Sequence, residues 1–125
     1  MERHAMIVAG LGFRDSASEA SLTDALSRVG GAPQALATAQ AKADHPALRA
    51  LADRLGLTVI AIPPEVLTAQ RTQTRSTASL EAYGTGSVAE AAALAAAGEG
   101  ALLLTARVIS ADQMATCALA TKAQS

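Results

Sequence analysis

The sequence predicts an α/β fold: a three-layer open sheet, mostly parallel, with an antiparallel last strand pair and helices on both faces. Short apolar runs alternate along the chain with longer segments in which apolar residues recur at helical spacing. The last two apolar runs are separated only by residues 109–113, which are few enough to form a hairpin. The element order β-α-β-α-β-α-α-β-β therefore favours a largely parallel sheet covered by helices on both faces.

The first strand and helix follow from a change in apolar spacing. Residues 6–9 form a continuous apolar run that ends at a glycine, as a buried strand does. In residues 22–29 the apolar side chains recur at helical spacing, and Gly30-Gly31 ends the pattern. The segment Gly10-Leu11-Gly12 is interpreted either as a tight strand-to-helix turn or as a loop whose backbone amides face an anion.

A second strand and helix follow. Residues 35–38 predict a weaker strand. An apolar stripe at i, i+3, i+4 and i+7 begins at Leu48, with Asp44 as the expected N-cap and Gly56 just beyond the helix end. Residues 58–62 form the clearest strand of the chain.

The second half of the chain begins with proline. Pro63-Pro64 ends the third strand and opens a short helix to about Ala69. Residues 70–79 contain almost no apolar side chain, which predicts a mobile loop. The remaining segments predict a third long helix and two strands, over residues 87–97, 101–107 and 114–120.

Length, charge and cysteine content limit the classes of function. The 125 residues, half of them hydrophobic, predict one domain over 1–125. The formal net charge is −1 with both signs interspersed, so a nucleic-acid partner is not expected. Residues 6–13 are apolar but too short to span a membrane, so no membrane partner is expected. The single cysteine, Cys117, fits a reducing compartment, and a cytoplasmic location is expected.

Cations follow several of the predicted strands. In an open α/β sheet the carboxyl ends of the strands point at one crevice, where ligands bind. Cations in separate loops are therefore expected to converge there, which predicts a site for a polyanionic small molecule. These cations are Arg14, Lys42, Arg71, Arg75 and Arg107.

Glycines, hydroxyls and the two aromatic residues supply the other predicted ligand contacts. Two glycine-bearing segments frame the expected crevice, and each aromatic residue adjoins one of them. Asp15 stands where a dinucleotide-binding motif needs its third glycine, so no nucleotide cofactor is predicted. The predicted ligand-binding residues of this group are Gly10, Gly12, Phe13, Ser76, Tyr83, Gly86 and Ser87.

Glu90 has two interpretations. Ser87 and Glu90 fit the S-x-x-E capping box, in which each side chain accepts from the other residue's backbone amide, and Ser16 with Glu19 fits it too. Alternatively, Glu90 has a functional role at the crevice, either as a catalytic general base or as an anchor for a polar group of the ligand. His4, His45 and Cys117 are too few to assemble a structural zinc site within one chain, so no metal is predicted.

Five segments carry a resemblance to a known family, and together they cover nearly the whole chain. They are Gly10-Leu11-Gly12-Phe13-Arg14, Leu36-Ala37-Thr38 with Lys42, Thr74-Arg75-Ser76, Gly86-Ser87-Val88-Ala89-Glu90 with the alanines that follow, and Met114 to Ala120. The chain resembles the CobE family, the stand-alone counterpart of the C-terminal domain of CbiG from cobalamin biosynthesis. The resemblance implies a role in corrin-ring construction, with a precorrin or hydrogenobyrinic-acid intermediate as partner and other enzymes of the pathway as further partners.

The resemblance also bears on chemistry. CbiG proteins of the anaerobic route open a lactone on a cobalt-precorrin, whereas this chain resembles the version associated with the aerobic route. Where the family often has lysine, this sequence has Arg107, which keeps the charge but not a lysine nucleophile or proton donor. Three functions remain open: a carrier of a polycarboxylate corrinoid, a hydrolase or ring-modifying enzyme that uses Glu90, and a scaffold for a pathway enzyme.

Overall fold

The structure is a computed structural model, and it describes residues 6–122; His4, considered above as a metal ligand, lies outside the described residues. A 3₁₀ turn (Gln40–Lys42) follows the second strand. The strands and helices, in chain order, are β1 (Met6–Phe13), α1 (Glu19–Val29), β2 (Ala35–Ala39), α2 (Pro46–Leu55), β3 (Thr58–Ile62), α3 (Pro64–Thr68), α4 (Thr77–Tyr83), α5 (Val88–Ala97), β4 (Leu102–Ile109) and β5 (Ala115–Lys122).

The five strands form one mixed sheet in the order β3-β2-β1-β5-β4. The pairs β1–β2 and β2–β3 are parallel, whereas β5 is antiparallel to both β1 and β4. The expected α/β sheet with an antiparallel last strand pair is thereby confirmed. Because β5 reverses direction between them, β1 and β4 run the same way, and both end at one edge of the sheet.

Helices cover both faces of the sheet and create two cores. On one face, Leu11 and Leu36 pack with Leu22 of α1 and Leu48 of α2. On the other face, α5 packs almost entirely through alanines and contacts Val8 and the α3 residue Leu67. Alanine allows α5 to lie close to the sheet, because its side chain adds little thickness between backbones. No helix in the described part of the chain is long and apolar enough to cross a bilayer.

The prediction of a turn at Gly10-Leu11-Gly12 is wrong, since β1 continues to Phe13. Both glycines lie on the α5 face of β1. A Cβ at Gly10 would overlap the Ala89 carbonyl oxygen and lie 2.6 Å from the Ala93 nitrogen. The glycines therefore permit close approach of α5 to the strand, which is the other common reason for glycine in a strand.

Replacing Gly10 with alanine should lower the free energy of unfolding by about 1–3 kcal/mol, the usual cost of forcing extra volume into a packed core. Gly12→Ala is the matched comparison. Its new Cβ would meet the Thr116 hydroxyl at 2.9 Å, and a hydroxyl side chain can move aside more readily than helix backbone. Urea unfolding of both variants measures the difference, and equal losses would contradict this account of Gly10.

Two predicted helix caps are corrected. His45, not Asp44, is the N-cap of α2, and its Nδ1 accepts from the Ala47 amide at 3.1 Å. The first helix begins at Glu19 and is capped by Ser18, which forms a reciprocal box with Ser21 instead of the expected Ser16–Glu19 pair. Ser16 and Ser18 are equivalent cap candidates in the sequence, and the helix begins after the second of them.

The segment predicted as a mobile loop is partly helical. Its last three residues belong to α4, whose N-cap is Ser76. Its centre is tied to the body of the fold, because the amide of Ser76 donates to the Gly86 carbonyl at 2.7 Å and two further amides bond to a buried carboxylate described below. The polar composition of residues 70–79 predicts mobility because the groups that bind this segment, the Gly86 carbonyl and the buried carboxylate, are distant in the sequence.

Candidate functional site

A cleft of about 510 Å³ opens at the edge where β1 and β4 end. Its size is typical of small-molecule sites. One wall is α4, a second is the turn between β4 and β5, and the floor is the end of β1 with the start of α5. The lining combines charged, polar and apolar side chains: Gly12, Phe13, Arg14, Ser76, Ser79, Ala82, Tyr83, Val88, Arg107, Ile109, Gln113, Met114, Ala115 and Thr116.

Arg14 and Arg107 are brought together in this cleft. Arg14 directly follows β1, and its amide donates to the Met114 carbonyl at 3.0 Å, which fixes its backbone against the β4–β5 turn. Arg107 lies two residues before the end of β4. Since β1 and β4 run in the same direction, both arginines lie at one edge of the sheet and line the same cleft, as expected for a site that binds acid groups.

Ion pairing divides the described cations into two groups. Arg28, Lys42, Arg49 and Arg54 each pair with an aspartate or glutamate, and all four lie on or beside α1 and α2. Five others form no ion pair with a described carboxylate: Arg14, Arg71, Arg75, Arg107 and Lys122. Within residues 6–122 the cleft arginines thus have no carboxylate partner, and their charge can bind an anion.

Glu90 lies behind the cleft, fully buried in the first turn of α5. One oxygen, Oε1, accepts from the amides of Gln73 at 2.6 Å and Thr74 at 3.0 Å. The other, Oε2, accepts from the Thr74 hydroxyl at 2.9 Å and the Arg107 amide at 2.8 Å. The carboxylate thus joins α5, the segment before α4 and the strand that carries Arg107.

Two effects act on the pKa of Glu90 in opposite directions. Burial raises the pKa, but the amides of Arg107, Thr74 and Gln73 and the Thr74 hydroxyl stabilise the carboxylate and leave the pKa below its ordinary value. Only half of the expected capping box forms: the Ser87 hydroxyl accepts from the Glu90 amide at 3.1 Å, while the Glu90 side chain bonds elsewhere. A sealed carboxylate of lowered pKa suits an anchor better than a general base.

Phe13 lines one side of the cleft and packs against two neighbouring residues, His45 and Lys42. The Phe13 ring meets the His45 ring edge-on at a centroid separation of 5.1 Å, and Lys42 Nζ lies 5.2 Å from the Phe13 centroid. Lys42 also donates to Asp15 Oδ1 at 2.5 Å, and this bond lowers the pKa of Asp15. Lys42 therefore lies beside the cleft and already has an anionic partner.

The other predicted ligand contacts lie outside this cleft. Arg71 lines a second cleft, of about 550 Å³, beside the end of α5. Arg75 is exposed and lines neither cleft. Gly10, Gly86 and Ser87 are buried: Gly10 beneath α5, Gly86 against Thr72 and Thr74, and Ser87 as the N-cap of α5. Of the five cations expected to converge, the described structure thus brings Arg14 and Arg107 together in this cleft, with Lys42 beside it and Arg71 and Arg75 elsewhere.

Several cleft residues were not predicted. Ile109, Gln113 and Met114 belong to the end of β4 and the turn that follows, and Thr116 lies in β5. The predicted hairpin could have indicated these residues, because its turn must lie at the same edge of the sheet as Arg107. Within residues 6–122 no group of three histidine, cysteine, aspartate or glutamate side chains is placed to hold a metal ion.

Comparisons with known proteins agree on one family. The family model described as "Cobalamin synthesis G C-terminus" matches residues 7–120. The solved structure of CobE, described as a protein from the cobalamin (vitamin B12) biosynthetic pathway, is 37% identical, with 94% of each chain covered and a TM-score of 0.85. A search of curated proteins finds no significant match.

Two further solved structures are similar. The cobalamin biosynthesis protein chiG from Agrobacterium tumefaciens str. C58 is 33% identical, with 92% of this chain and 97% of that chain covered and a TM-score of 0.69. A cobalamin biosynthesis protein G homolog from Sulfolobus solfataricus is 18% identical and shares the fold over 93% of this chain and 36% of that one, with a TM-score of 0.69. On the family match and on this identity and coverage, the chain belongs to the family of the cobalamin synthesis G C-terminal domain.

Proposed function

We propose that this protein binds a polycarboxylate corrin intermediate of cobalamin biosynthesis and acts as a carrier or accessory protein. Membership of the family supports a role in the pathway. The observation that carries the finer proposal is the pair of arginines, Arg14 and Arg107, which share a cleft and have no described anionic partner. Precorrin-type rings carry several acetate and propionate groups, which are suitable partners for two guanidinium groups.

The rest of the cleft fits an amphipathic ring. Phe13, Tyr83 and Ile109 offer apolar surface, and Ser76 and Ser79 offer hydroxyl groups. The cleft is open on one side, so a ring would bind by its edge, with its acid groups toward the arginines. The geometry of Glu90 supports a carrier role over an enzymatic one. Four hydrogen bonds from the protein itself occupy both carboxylate oxygens, so Glu90 is not free to accept a proton from a ligand.

Titration of the full chain with hydrogenobyrinic acid tests this function. The chain contains one tyrosine and no tryptophan, so intrinsic fluorescence reports Tyr83, a cleft residue. We expect saturable changes in Tyr83 emission and in the ligand's absorption, with the ligand recovered at unchanged mass. A changed mass would identify an enzyme, and an absence of both spectral changes would contradict binding.

Single arginine variants locate the site. Arg14→Ala and Arg107→Ala should each weaken binding by about 1–3 kcal/mol, the contribution expected of hydrogen bonds to a charged group. The Arg107 amide still donates to Glu90 in its variant, so the fold is retained. Arg49→Ala is the matched control, since Arg49 pairs with exposed Asp44 and does not line the cleft. Equal losses in all three variants, measured by Tyr83 emission, would argue against this cleft.

A further inference from the structure

The turn between β4 and β5 contains an unusual backbone conformation at the cleft. Gln113 has a φ of 61°, and among the described residues it alone has a positive φ without being glycine. The left-handed region is unfavourable for residues with a Cβ, apart from asparagine and aspartate, which tolerate it best. The side chain of Gln113 is exposed and lines the cleft.

A set of hydrogen bonds holds the turn in this conformation. Asp112 Oδ1 accepts from the Ser110 hydroxyl at 2.5 Å and from the Met114 amide at 3.0 Å, and Oδ2 accepts from the Ser21 hydroxyl of α1 at 2.5 Å. The Ala111 amide donates to Asp24 of α1 at 2.7 Å. The turn is thus bound to α1 through Ala111 and Asp112, the two residues before Gln113, and these bonds over-determine the backbone at Gln113.

The turn between β4 and β5 does not require glutamine at position 113. Glycine would adopt the same φ without strain, and asparagine would adopt it at lower cost. An unfavourable residue kept in place by surrounding bonds, with its side chain toward a cleft, is typical of a functional site. We propose, on the basis of the function proposed above, that Gln113 contacts the ligand and contributes to specificity through its carboxamide.

The carboxamide complements the two arginines. It donates an N–H to an acid oxygen of the ligand, or accepts from an amide, without adding charge. Its contribution is therefore directional and insensitive to salt, whereas guanidinium pairing is long-range and screened. Together, these groups favour a ring with a defined placement of acid groups over an anion of equal charge.

Gln113→Gly separates a binding role from a structural one. Loss of the Cβ relieves the backbone, so the variant should unfold at a higher temperature than the wild type. Loss of the carboxamide should weaken hydrogenobyrinic acid binding by about 3- to 10-fold, as expected for one hydrogen bond, with the salt dependence unchanged. Gln113→Asn retains a carboxamide and should recover part of the affinity.

Each outcome of this titration decides a different point. Wild-type binding with equal affinity in Gln113→Gly would overturn the role of Gln113 and leave the proposed function intact. An absence of wild-type binding would overturn the proposed function and the role of Gln113 with it. A loss of affinity in Gln113→Gly that follows a lower unfolding temperature would contradict the inference, because it would show that glutamine serves the fold.

Discussion

Replacing Glu90 with alanine is expected to lower the free energy of unfolding by about 2–4 kcal/mol, because it leaves several buried donors without an acceptor. The amides of Gln73, Thr74 and Arg107 all donate to this carboxylate. Loss of their partner affects three elements at once: α5, the segment before α4, and β4. Urea unfolding monitored by circular dichroism measures the loss.

Glu90→Gln is the finer substitution. Its single carbonyl oxygen can still accept from Gln73 and Thr74, but its amide N–H groups then face the Arg107 amide, which is also a donor. We expect a smaller loss, of about 1–3 kcal/mol. Exposed Glu99 provides the control, since Glu99→Gln removes the same charge without breaking a described hydrogen bond and should stay within about 0.5 kcal/mol. Equal effects at the two positions would contradict the anchor role.

The buried carboxylate of Glu90 should also make the free energy of unfolding depend on pH. The folded-state pKa of Glu90 lies below its ordinary value of 4.5, so the carboxylate's contribution is complete above about pH 4.5 and is lost as the pH falls further. Asp15, Asp24 and Asp112 also have lowered pKa values, and they add to acid sensitivity in every variant. The difference between wild type and Glu90→Gln isolates Glu90, and it should shrink as the pH falls below 4.5.

Most of the fold could be predicted because it depends on local patterns. The strands, the long helices and the hairpin all follow from apolar spacing and from turn residues. The exceptions depend on contacts between distant elements. A glycine at position 10 favours a turn when only its neighbours are considered, whereas the residues that require it, Ala89 and Ala93 of α5, lie about eighty residues away in sequence. The helix α4 could not be predicted because its N-cap, Ser76, and its first residues belong to a polar segment that lacks an apolar stripe at helical spacing.

The candidate site could be predicted only in part. Arg14 and Arg107 were found because strand direction determines where each strand ends. Lys42 and Arg71 follow the same sequence logic, yet Lys42 pairs with Asp15 and Arg71 faces another cleft. Gln113 gave no local signal, since its left-handed backbone depends on Asp112 and on bonds to α1.

The largest expected effect on binding comes from changing both cleft arginines together. If each guanidinium contributes about 1–3 kcal/mol, Arg14→Ala/Arg107→Ala should lose about 2–6 kcal/mol if the two effects add. A ring bound by its acid groups would then bind weakly or not detectably. Titration with hydrogenobyrinic acid, with circular dichroism to verify folding, measures this loss.

A matched double variant provides the control. Arg49→Ala/Arg54→Ala removes two cations of α2 that are already paired with Asp44 and Glu19 and that do not line the cleft. This variant lowers the net charge by the same amount but keeps both cleft arginines, so it should bind hydrogenobyrinic acid with nearly wild-type affinity. Comparable losses in both double variants would attribute binding to overall charge and not to the cleft.

The most direct test of polycarboxylate recognition is the affinity for hydrogenobyrinic acid at two ionic strengths, about 0.01 M and about 0.15 M, where the screening lengths are about 30 and 8 Å. We expect the wild-type affinity to fall clearly at the higher ionic strength, and that of Arg14→Ala/Arg107→Ala to be weaker and to change less. An affinity that is the same at both ionic strengths and is retained without both arginines would contradict recognition of the ligand's carboxylates by Arg14 and Arg107.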